Sequence, residues 1–516
     1  MLGKNNKKYC DFMDEISADE LYEGLLGYGL FSEKIPPVFT SVPFYEYCQQ
    51  KDKKFDSTQH ECITFVSNRN TNKTRIISIP DPMKYQVMCT VLRDNWPEIK
   101  KHFHRQTDND NYKVSRIHLR KIEGEKALFQ MNYKNWKIDG DPESELLSNK
   151  NHVSKLIVKA DISQCFASIY THVIPWALVG TETAKANRDE EVWYNQIDVA
   201  SRNMTNGETN GIPIGIHSSN LISEIILTTI DHWLTEKGYN YFRNIDDYVC
   251  FVSDEDEGNK FLVDLQEILK NYHLRINEEK TKKESLPAAI EKSWKNQLNN
   301  INLISPKYGI TTFTEVNRYI DKAIELCRQD EDYAPLNYAI KTLSGKKLSD
   351  NAKKQATTRF LHAAVLKPYL LRLMEKFVFD AYQVDNSDIK NYSDQIYSEA
   401  KKAKNYEGIS YSIYYSLRYG FDLEDLDISW IIQQGDCISL LLSWLYYLRI
   451  NKGNLRATDM KIFNCEAKRL SQTNMDKYWL FCYEVLTVGN LFGDWCDMKR
   501  QGVSFIIDSY KPKTWK

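Results

Sequence analysis

Asp161-Ile-Ser-Gln-Cys-Phe166, Gly211-Ile-Pro-Ile-Gly215 and Phe242-Arg-Asn-Ile-Asp-Asp-Tyr248 decide how this 516-residue chain reads. The first and third set carboxylates at the ends of β-type runs. Asp161 follows the apolar run Leu156-Ile157-Val158, and Asp246-Asp247 stand between Tyr241-Phe242 and the strand-like Tyr248-Val249-Cys250-Phe251. Paired aspartates at a hairpin turn, joined by a third from a neighbouring strand, concentrate negative charge where it repels itself. Such a cluster suits hard cations, because Mg²⁺ binds through one or two carboxylates plus substrate phosphates. Two ions about 3.5–4 Å apart would clamp the attacking and leaving oxygens of a phosphoryl transfer. Each feature alone has a plain alternative: Asp-Asp is commonly a solvated turn, and a strand-end Asp a helix cap. Their order in the chain predicts a nucleotidyl transferase.

Working outward, Gly211 and Gly215 flank Ile-Pro-Ile, and Leu221 to Leu227 has helical spacing. Glycine permits close backbone approach, and a helix entry offers N–H groups to a ligand. Ser219 and Asn220 are expected on the nucleotide side of that helix. Upstream, Lys73-Thr-Arg-Ile-Ile-Ser-Ile-Pro80 reads as a turn and a strand. Downstream, Leu274-Arg-Ile-Asn-Glu-Glu-Lys-Thr-Lys282 offers Lys280 beside a turn. A solvated strand edge and a solvated turn are the respective alternatives.

These segments together resemble the palm of reverse transcriptases, and within them the abortive-infection (Abi) branch of bacterial defence reverse transcriptases. Phe166-Ala-Ser-Ile-Tyr-Thr-His-Val-Ile-Pro-Trp-Ala177 is similar to that branch's motif, as are Gly211-Ile-Pro-Ile-Gly215 with Ser219 and Asn220, and Arg243-Asn-Ile-Asp-Asp-Tyr248. The resemblance covers residues 20 to 290 by motif and thins to general helical character beyond. It implies an α+β fingers and palm domain over residues 1–290, followed by an all-α domain, solenoid or HEAT-like, over 291–516. It implies Asp161, Asp246 and Asp247 as catalytic, with Asp161, the Ile162 carbonyl and Asp246 holding Mg²⁺, or Mn²⁺ in its place. Strand alternation is expected to turn Asp247 aside, unless the hairpin twists it back, and to leave it a lesser role. Lys73, Arg75, Phe166, Gly215, Ser219 and Lys280 are the implied nucleotide-binding residues. Arg75 would grip phosphate with its guanidinium fork. Phe166 would lie under the sugar and select dNTPs by excluding a 2′-hydroxyl, and Lys280 would steady or protonate the leaving pyrophosphate. Two departures touch the region that positions template and incoming base: Ile214 stands where many reverse transcriptases have Gln, and Asn220 where many have Pro.

The implied activity is template-independent synthesis of single-stranded DNA, primed by a tyrosine of the protein, by a homo-oligomer that defends bacteria against phage. Tyr9, expected on a mobile basic N-terminus, and Tyr45, Tyr47 and Tyr510 are the candidate primers. The alternatives are an RNA-templated reverse transcriptase using a bound RNA, a catalytically inactive nucleic-acid-binding scaffold and, opposed by Phe166, an RNA polymerase.

Composition bounds these readings. A chain of this length exceeds one ordinary core, so two or more domains are expected. The net charge of −2 argues against a general nucleic-acid coat. Basic stretches run from Lys100 through Lys121, and from Lys341 through Arg359; each faces either phosphate or solvent. Eleven cysteines without a C-x-x-C pair fit reduced, buried thiols and give no zinc site. Neither a signal peptide nor an apolar run of roughly 18 residues appears, so a soluble cytoplasmic protein without a membrane partner is expected. The 32 Tyr, 21 Phe and 11 Trp either stack on bases or pack between helices, and packing is the expectation for most.

Residues 15–30 are predicted to form an amphipathic helix, and Ser285 to Ala289 a domain junction. Beyond residue 312, apolar stripes at helical spacing predict helix after helix, with Pro368 at a break and no nuclease carboxylate pattern.

Overall fold

The computed structural model describes residues 9–51, 55–71, 73–107, 114–115, 118–119, 128–130, 148–149, 152–287 and 293–511. Asp139-Gly-Asp-Pro-Glu-Ser144, which reads as a loop, lies outside them, as do Tyr112 and most of Arg116 to Lys121 in the basic stretch. Contacts divide the chain into two compact units. The first comprises Met1–Ser32, Thr40–Cys62 and Ser78–Ala288; the second comprises Glu33–Phe39, Ile63–Ile77 and Ala289–Lys516. The two earlier stretches were not anticipated, since the whole N-terminal half was assigned to fingers and palm.

The first unit is built on a four-stranded antiparallel sheet. Its strands run in the order Lys282–Ser285, Leu156–Asp161, Asp247–Val252, Asn240–Asn244. The two central strands carry the apolar runs: Ile157, Val158 and Ala160 on one, Tyr248, Cys250, Phe251 and Val252 on the other, all buried. The polar Lys282–Ser285 strand takes an edge, where water can satisfy it. The Glu255–Asn271 helix packs across the two central strands, and Gly258 brings it in close. A Cβ there would stand 3.1 Å from the Val158 side chain, so the absent side chain sets the helix-to-sheet distance. Asp254 caps this helix by accepting from the Glu257 N–H. The His217–Glu236 helix supplies the long buried axis of the unit, with Leu221, Ile222, Ile225, Ile226 and Leu227 in the core.

The N-terminal helix is shorter than predicted. Ala18–Tyr22 is α-helical behind a Ser17/Glu20 capping box, then Glu23–Gly27 widens into a π-turn. Leu21, Leu25, Leu26 and Leu30 are all buried, so the apolar pattern is satisfied although the α-helix is not continuous. Lys100 and Lys101 lie on the Trp96–Thr107 helix, where Lys101 pairs with Glu98 at 2.6 Å and Lys100 lies over the Trp96 ring. A solvated helix face accounts for that part of the basic stretch.

In the second unit, helix follows helix from residue 293 onward. Of the apolar stripe Tyr319, Ile320, Ala323, Ile324 and Cys327, the Phe313–Asp330 helix buries all but the half-buried Ile324, and it buries Val316 as well. The Asp350–Leu366 helix ends just before Pro368, which opens a 3-10 turn, since proline lacks the N–H that a continuing helix needs. Asn386–Ala403 and Tyr406–Tyr419 form a tight pair, turning at Lys404 and capped by the Asn405 side chain on the Gly408 N–H. Cys437–Ile450 packs on Tyr406–Tyr419 and on Met475–Val485. No helix among the described residues is long and apolar enough to cross a membrane.

The Ile63–Asn68 and Thr74–Ile79 strands pair as a hairpin, most of which belongs to this helical unit. Glu407, fully buried on the Tyr406–Tyr419 helix, accepts from the Asn68 N–H at 2.6 Å, the Asn68 amide at 2.7 Å and the Ser67 hydroxyl at 3.2 Å. Burial raises the pKa of its carboxyl, and those hydrogen bonds oppose the rise.

Candidate active site

Asp161 ends a central strand, and register places it directly opposite Asp247 on the neighbouring strand. Directly opposed residues of an antiparallel pair project to the same face. The expectation that alternation turns Asp247 away is therefore corrected. It follows one strand in isolation, whereas cross-strand register sets which carboxylates meet. Asp246 occupies the two-residue turn between Asn244 and Asp247. One carboxylate oxygen from each of Asp161, Asp246 and Asp247 lies within 4.8 Å of the others. The Ile162 N–H donates to the Asp246 carbonyl at 3.0 Å, tying the two carboxylate-bearing segments together.

The neighbouring charges are unbalanced. Lys280 donates to Asp161 Oδ2 at 2.8 Å and the Asn277 amide to the same oxygen at 3.1 Å. Both arrive on the segment before the Lys282–Ser285 strand, fastened by the Asn277 N–H on the Asp161 carbonyl at 2.7 Å. Desolvation, then the charges of Asp246 and Asp161, push the Asp247 carboxyl up to about 7, with Lys280 opposing. Three clustered carboxylates, with Lys280 beside Asp161, present the hard oxygen donors that Mg²⁺ and Mn²⁺ take, so the residues fit a divalent ion. Cys165 is buried beside them with its thiol pushed up by desolvation, consistent with packing rather than ligation.

Phe166 lies half-buried on the short Cys165–Ser168 helix, and its carbonyl accepts the Ile212 N–H at 2.9 Å. The Asp161 and Gly211–Gly215 segments are thereby joined. Gly211 has φ +88°, and a Cβ on it would stand 3.1 Å from the Ala167 carbonyl oxygen. Position 211 therefore favours glycine on both counts. Gly215, with φ +113°, and Ile214 are half-exposed. Ser219 is fully buried in the His217–Glu236 helix. The helical period turns position 219 to the core and leaves its neighbour Asn220 half-exposed.

Lys73 and Arg75 belong to the hairpin of the second unit, Lys73 exposed and Arg75 half-buried. Arg75 lies in a cationic group. Burial, together with Arg75, Arg372 and Arg69, pushes the Lys34 ammonium down to about 8.

Tyr170, His172 and Trp176 gather as a cluster. The Tyr170 ring lies 4.9 Å from His172, 6.2 Å from Trp176 and 5.2 Å from His273. Among the tyrosines, Tyr9 does not stand on a free end. It is 2% exposed and its hydroxyl donates to Glu224 Oε1 at 2.8 Å. Burial and the Glu224 charge push its pKa upward, away from a nucleophile. Tyr47 is also buried, whereas Tyr45 and Tyr510 are half-buried.

Sequence reasoning passed over Arg243, Glu224, Asp231 and Asn277. The signal for Arg243 was its place two residues after Tyr241, on the same inward face of the strand.

Residues 67–301 match the family profile described as reverse transcriptase (RNA-dependent DNA polymerase). No curated protein matches the chain. Among solved structures, apo telomerase from Candida tropicalis, truncated from its C-terminal domain, aligns at 13% identity and TM-score 0.31. That alignment covers 48% of this chain and 55% of the telomerase chain. Telomerase from Candida albicans, in complex with the TWJ fragment of telomeric RNA, aligns at 11% identity and TM-score 0.31, over 85% of this chain and 67% of that one. Apo telomerase from Candida tropicalis aligns at 10% identity and TM-score 0.33, over 86% and 77%. With its triad of aspartates inside the matched segment, the chain carries a reverse-transcriptase domain and is a nucleotidyltransferase of that polymerase type.

Proposed function

We propose that the protein is a Mg²⁺-dependent DNA polymerase of reverse-transcriptase type that makes single-stranded DNA without a template, primed on its own tyrosine, in abortive-infection defence against phage. The observation that supports it most is the convergence of Asp161, Asp246 and Asp247 on one face of the sheet. Mg²⁺, when bound, supplies Lewis-acid stabilisation of the charge that develops on the transferring phosphoryl group. Asp161 and Asp246 would hold it, together with the Ile162 carbonyl. Lys280, already at hydrogen-bond distance from Asp161, carries a proton and a positive charge to where pyrophosphate departs. Lys73 and Arg75 take phosphate, a role favoured for Arg75 by its crowding with other cations. Phe166 lies under the sugar, and Gly215 lets the backbone approach the base.

Absence of a template is argued from Ile214 and Asn220, which replace the residue types usual in template-copying enzymes. The defence role is argued from the Tyr170-Thr-His-x-Ile-Pro-Trp176 signature. Of the four candidate primers, burial disfavours Tyr9 and Tyr47 and leaves Tyr45 and Tyr510. The test is to incubate protein freed of nucleic acid with Mg²⁺ and each labelled dNTP, then run a denaturing protein gel with and without DNase. Label on the protein, removed by DNase and lost in the Tyr45→Phe or Tyr510→Phe variant, is the expected result. Label in free DNA alone, appearing only with added RNA, would transfer the assignment to an RNA-templated enzyme.

A further inference from the structure

Beneath the carboxylates lies a buried charge network that the reaction itself does not require. Arg243 is fully buried on the Asn240–Asn244 strand and uses all five of its N–H donors. Nε and Nη2 donate to Asp231 Oδ2 at 2.8 and 2.7 Å. Nη1 and Nη2 donate to Glu224 Oε2 and Oε1 at 3.2 and 3.0 Å. The remaining Nη1 bond goes to the backbone carbonyl of Ile245 at 2.8 Å. Glu224 and Asp231 both stand on the His217–Glu236 helix, fully or nearly fully buried. The Tyr9 and Ser115 hydroxyls also donate to Glu224 Oε1, and the Tyr241 hydroxyl to the Asp231 carbonyl.

The carbonyl that Arg243 grips belongs to an unusual residue. Ile245 has φ +60°, while Asp246 after it does not have positive φ. Positive φ at the first of two turn residues is the II′ pattern, whose preferred occupant is glycine. For a β-branched residue that conformation costs energy and persists only when the surroundings impose it. Here the imposing group is visible: a guanidinium anchored at two points to a buried helix and hydrogen-bonded to the strained peptide.

We propose that Arg243 is a positioning residue for catalysis, which fixes the left-handed Ile245 turn against the His217–Glu236 helix and so delivers the Asp246 carboxylate beside Asp161. The role rests on the reading of the aspartates as a divalent-metal site. It also connects the helix that follows Gly211–Gly215 rigidly to the catalytic turn, so a shift of one moves the other.

The test uses the full chain and Mn²⁺ alone as the probe, with binding followed by electron paramagnetic resonance and folding by circular dichroism and thermal melting. Arg243→Lys keeps the charge but brings only three donors on a flexible stem, too few to span two carboxylates and a carbonyl. Expected for a folded Arg243→Lys protein is Mn²⁺ affinity at least tenfold weaker, a kcat lowered a hundredfold or more and a dNTP KM changed less than threefold. Ile245→Gly accepts positive φ without strain, and in the Arg243→Lys background it should recover a substantial part of the lost Mn²⁺ affinity. A folded Arg243→Lys protein with wild-type Mn²⁺ affinity, or a loss that Ile245→Gly does not lessen, would overturn the proposal. Should Arg243→Lys fail to fold, Ile245→Gly and Glu224→Gln singly provide the comparison. Glu224→Gln must then weaken Mn²⁺ binding while Ile245→Gly leaves it within threefold, and the opposite order would overturn the role. Failure of the metal reading looks different, since wild type and Asp246→Asn would then bind Mn²⁺ alike.

Discussion

Asp247 is exposed at the start of its strand, yet partial loss of solvent and the two neighbouring carboxylates both favour its protonated form. Its folded pKa, pushed up to about 7, stands above the unfolded value of about 3.9. The folded state therefore binds the proton more tightly. The stability this contributes is fully present below about pH 4 and is lost as pH rises through about 7. Metal-free protein should melt at progressively lower temperature between pH 5 and pH 8, and Asp247→Asn should flatten that slope. Mg²⁺ should raise the melting temperature most at pH 8; an unchanged slope in Asp247→Asn would place the strain elsewhere. At Phe166, replacement by Ala should lower discrimination against rNTPs on the order of tenfold, measured as the ratio of kcat/KM values. No change would mean the sugar lies away from this ring. Asp161 and Asp246 were legible from the order of their segments along the chain, since a strand-end Asp or an Asp-Asp alone has a plain alternative. Asp247 was misjudged because its orientation is fixed by the strand opposite. Arg243 was quoted within a motif but given no role, because charge within a strand reads as solvent-facing until its buried partners Glu224 and Asp231 are known.

The elements of the helical unit followed from periodicity. The stripe from Tyr319 to Cys327 and the break at Pro368 lie where the pattern put them. The turn and strand of Lys73–Pro80 were legible, but neither the pairing of Thr74–Ile79 with Ile63–Asn68 nor the allegiance of that hairpin was. Its holding partner, Glu407, stands 339 residues away from Asn68 and reads as a solvated helix residue in the sequence. No local pattern marks a glutamate that will be buried by a distant strand. Glu407→Ala leaves the Asn68 N–H and amide and the Ser67 hydroxyl without their acceptor, and should cost about 2–3 kcal/mol. Urea denaturation would read the loss, and hydrogen exchange should localise it to residues 63–77. A loss below about 0.5 kcal/mol would mean that water or a neighbour replaces the carboxylate. The N-terminal helix shows the reverse case, in which the apolar spacing is right but the backbone widens into a π-turn at Glu23–Gly27.

Across the whole molecule, a reverse-transcriptase domain and a long helical region share one chain with a net charge of only −2. Positive charge is local instead, as where Arg69, Arg75 and Arg372 gather about Lys34 with Glu33 beside them, and no overall field of one sign is present. The triad is the part on which every other assignment depends. Purified protein should incorporate labelled dNTP with Mg²⁺ and stop when EDTA removes the metal. Asp161→Asn and Asp246→Asn, each shown by circular dichroism to be folded, should abolish incorporation to below about one part in a thousand, at least 4 kcal/mol of transition-state stabilisation. Folded Asp246→Asn protein with wild-type incorporation would contradict the assignment of these aspartates as the catalytic centre.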